Sequence, residues 1–152
     1  MAGSIIVAVR SALATGLAAA IAANGTMADA EASFQWKADW QRREKIWTRN
    51  ARFVQAPAAM RAGRNFRSEI GSFEIAILVE GVGRTAEWSA QRAINIGTVV
   101  EQYIADRKSN ELAVSGLQTL TVSGDGSLTE MFNDRGTLAE LSYPIRYTAR
   151  LT

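Results

Sequence analysis

Two carboxylate pairs and one run of cations interleaved with aromatics are the residues spaced to do chemistry. The pairs are Asp29 with Glu31 and Glu74 with Glu80. On a strand their even spacing puts each pair on one face, as acid–base or Mg²⁺ chemistry would need, but solvated strand faces carry such pairs routinely. The residues that most often complete such sites are missing, since the chain has no His and no Cys. That excludes a thiolate nucleophile, an imidazole base, a Ser-His-Asp triad and a His/Cys zinc centre. The paired glycines of Gly81-Val82-Gly83-Arg84 and Gly124-Asp125-Gly126 continue neither as a dinucleotide fingerprint nor as a phosphate loop with its Lys. Asp125-Gly126-Ser127 lacks the spacing of a calcium loop. The expectation is a protein that is not an enzyme and holds no cofactor or metal.

The cation run is the stronger signal. Net charge is only +2, yet nine basic residues fall between Lys37 and Arg67, opposed by Asp39 and Glu44 alone. Trp40, Trp47, Phe53 and Phe66 are interleaved with them. Basic and aromatic side chains together bind nucleic acid through phosphates and stacking. They equally anchor an acidic protein surface. The bland reading is a solvated loop with its aromatics tucked into the core. The residues picked out as a partner interface are Arg42, Arg43, Trp47, Arg49, Arg52, Arg61, Arg64 and Arg67.

Something must position that run. With 152 residues, 47% hydrophobic and 21% charged, the chain suits one domain with a real core. Over residues 4–23, Ile6, Val9, Leu13, Leu17 and Ile21 recur at helical spacing, and Asn24-Gly25 is a stop signal. The competing reading is a signal peptide ending near Ala28-Asp29-Ala30. Arg10 inside the apolar run, with no Lys or Arg before it, argues against that and against a membrane span. Residues 30–36 alternate as a strand with Ala30, Ala32, Phe34 and Trp36 on one side, and a short second strand is expected near Lys45–Thr48. The rest of 37–66 reads either as a long basic arm or as a hairpin with a charged face.

Downstream, Phe73, Ile75, Ile77 and Val79 mark one face of a strong strand over 67–81. Residues 85–107 read as a second helix, with Thr85 as N-cap, Glu87 in its first turn and Gly97 at a close contact. A strand is expected over 111–122, weakened or bulged at Gly116, with turns at 123–126 and 133–136. The last segment alternates most cleanly, with Ala139, Leu141, Tyr143, Ile145, Tyr147, Ala149 and Leu151 in register. Pro144 predicts that this strand lies near an edge or is bulged there. The expected class is α+β: a mainly antiparallel sheet of four to five strands, two helices on one face, and an extended basic arm or hairpin.

This order of elements resembles the tail terminator (tail completion) proteins of long-tailed bacteriophages and related gene transfer agents. The resemblance spans the chain as one domain, 1–152, with 37–66 inserted between strands. It lies in the Ala-rich helix Ser4–Ala23, the strand ending Phe34-Gln35-Trp36, and Met60-Arg61-Ala62-Gly63-Arg64 leading into the strand Phe73–Val79. It continues in the helix with Gln91-Arg92-Ala93 and Val99-Val100-Glu101, and in the closing Tyr143-Pro144-Ile145-Arg146-Tyr147. The resemblance implies a structural virion protein in the head-proximal neck of the tail, assembled in the host cytoplasm. Its partners would be copies of itself in a ring of six, the tail tube protein and the head-tail connector or stopper, with transient contact to genomic DNA in the channel and none with a membrane. The alternatives are a head-tail joining or minor tail protein and a basic nucleic-acid-binding module.

Overall fold

The computed structural model describes residues 3–57, 67–107 and 109–151. In chain order these form helix α1 (Ile6–Ala22), strands β1 (Ala30–Ser33), β2 (Glu44–Pro57) and β3 (Arg67–Val82), helix α2 (Ala86–Asp106), and strands β4 (Leu117–Val122), β5 (Ser127–Asn133) and β6 (Gly136–Leu151). The strands make one six-stranded sheet in the order β1-β2-β3-β6-β4, with β5 also paired to β6. The α+β class and the two helices agree with the sequence reading. The sheet is larger than expected and mixed, because β1 runs parallel to β2 while the other pairs are antiparallel.

Both helices cover one face of the sheet. The α1 stripe Ile6, Val9, Leu13, Leu17 and Ile21 is buried throughout. It joins Ala93, Ile96, Val100 and Ile104 of α2 over Phe73, Ile75, Ile77 and Val79 of β3 and the seven apolar positions of β6. A fully buried Leu such as Leu13 contributes about 1.5–3 kcal/mol through the water it sheds. Thr85 caps α2 by accepting from the Trp88 amide at 3.1 Å. Gly97 is needed where it stands, since a Cβ there would lie 2.5 Å from the Tyr143 hydroxyl.

One charged residue sits on the covered face. Glu69 is fully buried, and its carboxylate accepts from Ser4 Oγ (2.9 Å), the Ile5 amide (3.2 Å), Gln55 Nε2 (2.6 Å) and the Tyr147 hydroxyl (2.5 Å). It therefore ties the start of α1, where the helix dipole favours an anion, to β2, β3 and β6.

Several expectations need correction. The segment read as a basic arm or a charged-faced hairpin, with a short strand near Lys45–Thr48, holds a longer strand of 14 residues, β2, paired antiparallel with β3 on both sides of a bulge, which agrees with the hairpin reading and not with an extended arm. The strand predicted over 30–36 ends at Ser33, and Trp36 turns over the opposite face from Ala30 and Ala32. The strand expected over 111–122 divides into a 3-10 turn at Ser109–Leu112 and β4; Gly116 precedes β4 at φ +88°, and the irregularity falls between Leu117 and Thr119. Helix α1 stops just ahead of Asn24-Gly25 as expected, but Asn24 is extended at φ −109° and caps a 3-10 turn at Gly25–Met27, not left-handed. Strand β5 was not foreseen. Pro144 lies in the interior strand β6, not at an edge. It stands opposite the gap between the last residue of β4, paired with Ile145, and the first of β5, paired with Ser142. Its carbonyl accepts from the Ser123 amide at 2.8 Å, so its missing N–H faces that gap, where no ladder bond is lost.

Candidate interaction surface

Among the described residues, the sheet's second face carries no helix. Along β2 its register positions are Lys45, Trp47 and Arg49, then Arg52, Val54 and Ala56. The switch from odd to even numbers comes from a β-bulge between Arg49 and Arg52, where Asn50 takes a left-handed φ of +54°. Asn tolerates that conformation because its short amide finds local partners, here Glu74 at 2.8 Å.

The bulge divides the face into two halves. On the first, residues 34–43 fold back so that Trp36 and Trp40 pack on Trp47. Ring centroids are 5.0 Å apart for Trp36–Trp47, 5.6 Å for Trp36–Trp40 and 6.2 Å for Trp40–Trp47, all tilted or edge-on as aromatic quadrupoles prefer. The trio acts as a small second core: Ala76, beside Trp47 in register, is fully buried although no helix covers it. Trp47 is 6% exposed and Trp36 50%. The buried Trp40 Nε1 has no acceptor among the described residues.

Cations ring this plate, and carboxylates hold them. Lys37 pairs with Glu31 and lies over Trp40; Lys45 pairs with Glu80 and lies over Trp36. Arg49 bridges Glu74 (3.0 Å) and Glu140 (2.7 Å) and lies 5.8 Å from the Trp47 ring centroid. Burial alone would lower the Arg49 pKa, but its two carboxylates outweigh that and raise it. Burial likewise pushes Glu74 upward, yet hydrogen bonds from Arg49 and Asn50 hold it below the usual carboxylate range. The Lys37 hydrogen bond depresses Glu31 against its own burial.

The predicted interface residues are therefore dispersed. Trp47 and Arg49 share the tryptophan plate, and Arg52 lies beyond the bulge on the same face. Arg42 is exposed and donates to the Ala28 carbonyl. Arg43 lines an open cleft of about 440 Å³ with Glu44, Glu80, Arg84, Trp88 and Arg92, a lining of mixed charge. Arg67 reaches Gln55 Oε1 at 3.5 Å. Arg61, Arg64 and Phe66 lie outside the described residues.

Sequence reasoning missed two groups. Arg146 and Arg150 of β6 share a face with Arg52, and their alternation with Tyr147 and Ala149 was the available signal. Glu44 is buried and held by Arg92 in a two-pronged contact of 2.5 and 2.7 Å, while Arg92 also donates to the Thr26 carbonyl at 2.7 Å. The Glu44 hydrogen bond raises the Arg92 pKa against burial. This pair fastens α2 to the start of β2. No known protein family matches the chain by sequence, and no curated protein is significantly similar to it.

Proposed function

We propose that the chain is a structural virion protein of the tail-terminator type, closing a ring of six copies on the head-proximal end of a tail tube. The ring ends tube growth and offers a docking surface to the head-tail connector. The observation that carries this reading is the pair of unprotected sheet edges. Among the described residues, β2 has no strand on its side away from β3 over residues 50–57, since pairing with β1 stops at Trp47, and β5 pairs only with β6. Phe53, Val54, Leu128, Met131 and Phe132 are exposed along these two edges. Natural edges are normally blunted by charge, proline or bulges; beside Arg52, Pro57, Glu130 and the bulge in β2, these edges still expose large apolar side chains.

Strand directions support a head-to-tail contact. β5 and β3 both run against β6, and β2 runs against β3, so β2 is antiparallel to β5. A second copy in the same orientation offers its β2 edge antiparallel to the β4–β5 side of the first. Such a heterologous contact continues from copy to copy and satisfies every edge only when it closes. In keeping with a partner list free of lipid, no described helix is long and apolar enough to cross a membrane.

Native mass spectrometry of the purified chain tests the reading: a six-copy species is expected, and a monomer at every concentration overturns it. Deletion from the particle separates the close alternative. Tails of uncontrolled length support a terminator, whereas normal tails unattached to heads assign the chain to head-tail joining.

A further inference from the structure

Asn24-Gly25 follows the end of α1, and neither the sheet edges nor the tryptophan plate uses it. It is the chain's one Asn-Gly pair. Such a pair is the peptide most open to internal attack, because glycine has no Cβ to shield its nitrogen. In that reaction the Gly25 nitrogen gives its proton to solvent base and bonds to Asn24 Cγ. The Cγ–Nδ2 bond breaks and ammonia leaves. Water then opens the succinimide ring at one of its two carbonyls, leaving aspartate or isoaspartate. Water is the only co-reactant. The nucleophile's side of this chemistry is ready. Gly25 is exposed, its N–H donates to nothing among the described residues, and a Cβ there would meet nothing within 4 Å.

We propose that Asn24 is a deamidation site that Thr26 keeps closed. Asn24 Oδ1 accepts from the Thr26 amide at 3.1 Å and from the Thr26 hydroxyl at 2.8 Å. The cap holds Asn24 at ψ 108°. There the Gly25 nitrogen is turned away from the side of Cα that bears Cβ, whereas the five-membered ring needs both on one side. Thr26 is itself anchored, since its carbonyl accepts from Arg92 at 2.7 Å and buried Glu44 holds Arg92. The Met27 amide donates to the Asn24 carbonyl at 3.0 Å, and its side chain is buried. Two donors on Oδ1 also polarise Cγ, which by itself favours attack. Reach decides, because a carbon held away from the nitrogen does not react however polarised it is. The products differ in consequence. Aspartate at this position keeps an acceptor for both Thr26 donors and remains a preferred cap. Isoaspartate adds a carbon to the main chain ahead of Thr26 and so displaces the Thr26 carbonyl from Arg92. None of this depends on ring closure.

The test is timed incubation of the full chain in mildly alkaline buffer, followed by mass spectrometry of the tryptic peptide that lies between Arg10 and Lys37. The readout is the mass gain from amide to acid at Asn24. The folded wild type is expected to convert at least about tenfold more slowly than the same chain unfolded in guanidinium chloride, a factor within the worth of an N-cap. Thr26→Val keeps the side chain's shape without its hydroxyl. It is expected to convert about twofold to tenfold faster than the folded wild type, as the loss of one neutral hydrogen bond implies. Gly25→Ala shields the nitrogen and is expected to slow conversion of the unfolded chain. Equal rates for folded and unfolded wild type overturn the proposal, and that comparison needs no variant to fold. A Thr26→Val rate at or below the wild-type rate also overturns it, because polarisation of Cγ would then outweigh reach. First conversion of the folded chain at Asn50 or Asn133 overturns it by placing the reactive amide elsewhere.

Discussion

The Tyr147 hydroxyl donates to Oε1 of Glu69 at 2.5 Å, joining two fully buried side chains 78 positions apart in the chain. Burial would raise the Glu69 pKa, but its four donors prevail and hold it below the ordinary 4.5. A carboxyl whose folded pKa is depressed binds its proton more weakly in the fold than in the unfolded chain. Its contribution is therefore complete above about pH 4.5 and is lost as pH falls through the lower folded value. Urea midpoints measured down the acid range should fall for the wild type. Glu69→Gln should start at least about 2 kcal/mol less stable at neutral pH, because its amide hydrogens oppose the existing donors, and should lose less on acidification. Parallel acid curves for the two proteins would refute this account.

Tyr147 reaches Glu69 by lying across β3 at Gly71, its register partner. A Cβ at Gly71 would stand 2.1 Å from Tyr147 Cε1, a contact no side chain can hold. Gly71→Ala is expected to cost about 1–3 kcal/mol by overpacking. Gly25→Ala meets nothing within 4 Å and serves as the control, with an expected change below about 0.5 kcal/mol. Equilibrium urea unfolding of both variants settles the comparison.

Parity explains how much of this was legible in the sequence. In β3 and β6 one unbroken alternation runs through each strand, so Phe73–Val79 and Ala139–Leu151 announced their buried faces. The same parity places Glu69 inward with Phe73, a signal open to reading but easily passed over as a charge on a solvated face. β2 hid because its bulge shifts the inward set from Glu44, Ile46 and Thr48 to Phe53 and Gln55, so no single period spans it. β5 hid because every residue in it is exposed; pairing with β6, not burial, holds it in place. The joining of Arg52 with Arg146 depends on register across β3, a long-range relation that local spacing does not carry.

Arg92 and Glu44 form the other deep charge contact, with Glu44 side-chain exposure at 5%. Removing the cation leaves a buried carboxylate without compensation, so Arg92→Ala should destabilise by about 3–5 kcal/mol. Arg92→Lys should recover only part of this, because a single ammonium cannot reproduce the fork that also serves the Thr26 carbonyl. Full recovery in thermal unfolding of the Lys variant would mean that charge alone matters here.

Phe132 offers the sharpest separation of assembly from folding. It is 87% exposed at the β5 edge, so replacing it removes little from the core of one copy. If β5 meets β2 of a neighbouring copy, a lysine at this position places a strongly hydrated charge in that seam, the means by which natural edges avoid pairing. Phe132→Lys is therefore expected to convert a ring into single copies by native mass spectrometry, while the unfolding free energy of the isolated chain, read from urea curves, changes by less than about 0.5 kcal/mol. Val54→Lys, on the opposite edge and 72% exposed, should act in the same direction because each seam uses both edges once. An intact ring in both variants would place the contact elsewhere on the surface, and loss of the ring in only one would mean that the two edges do not meet each other.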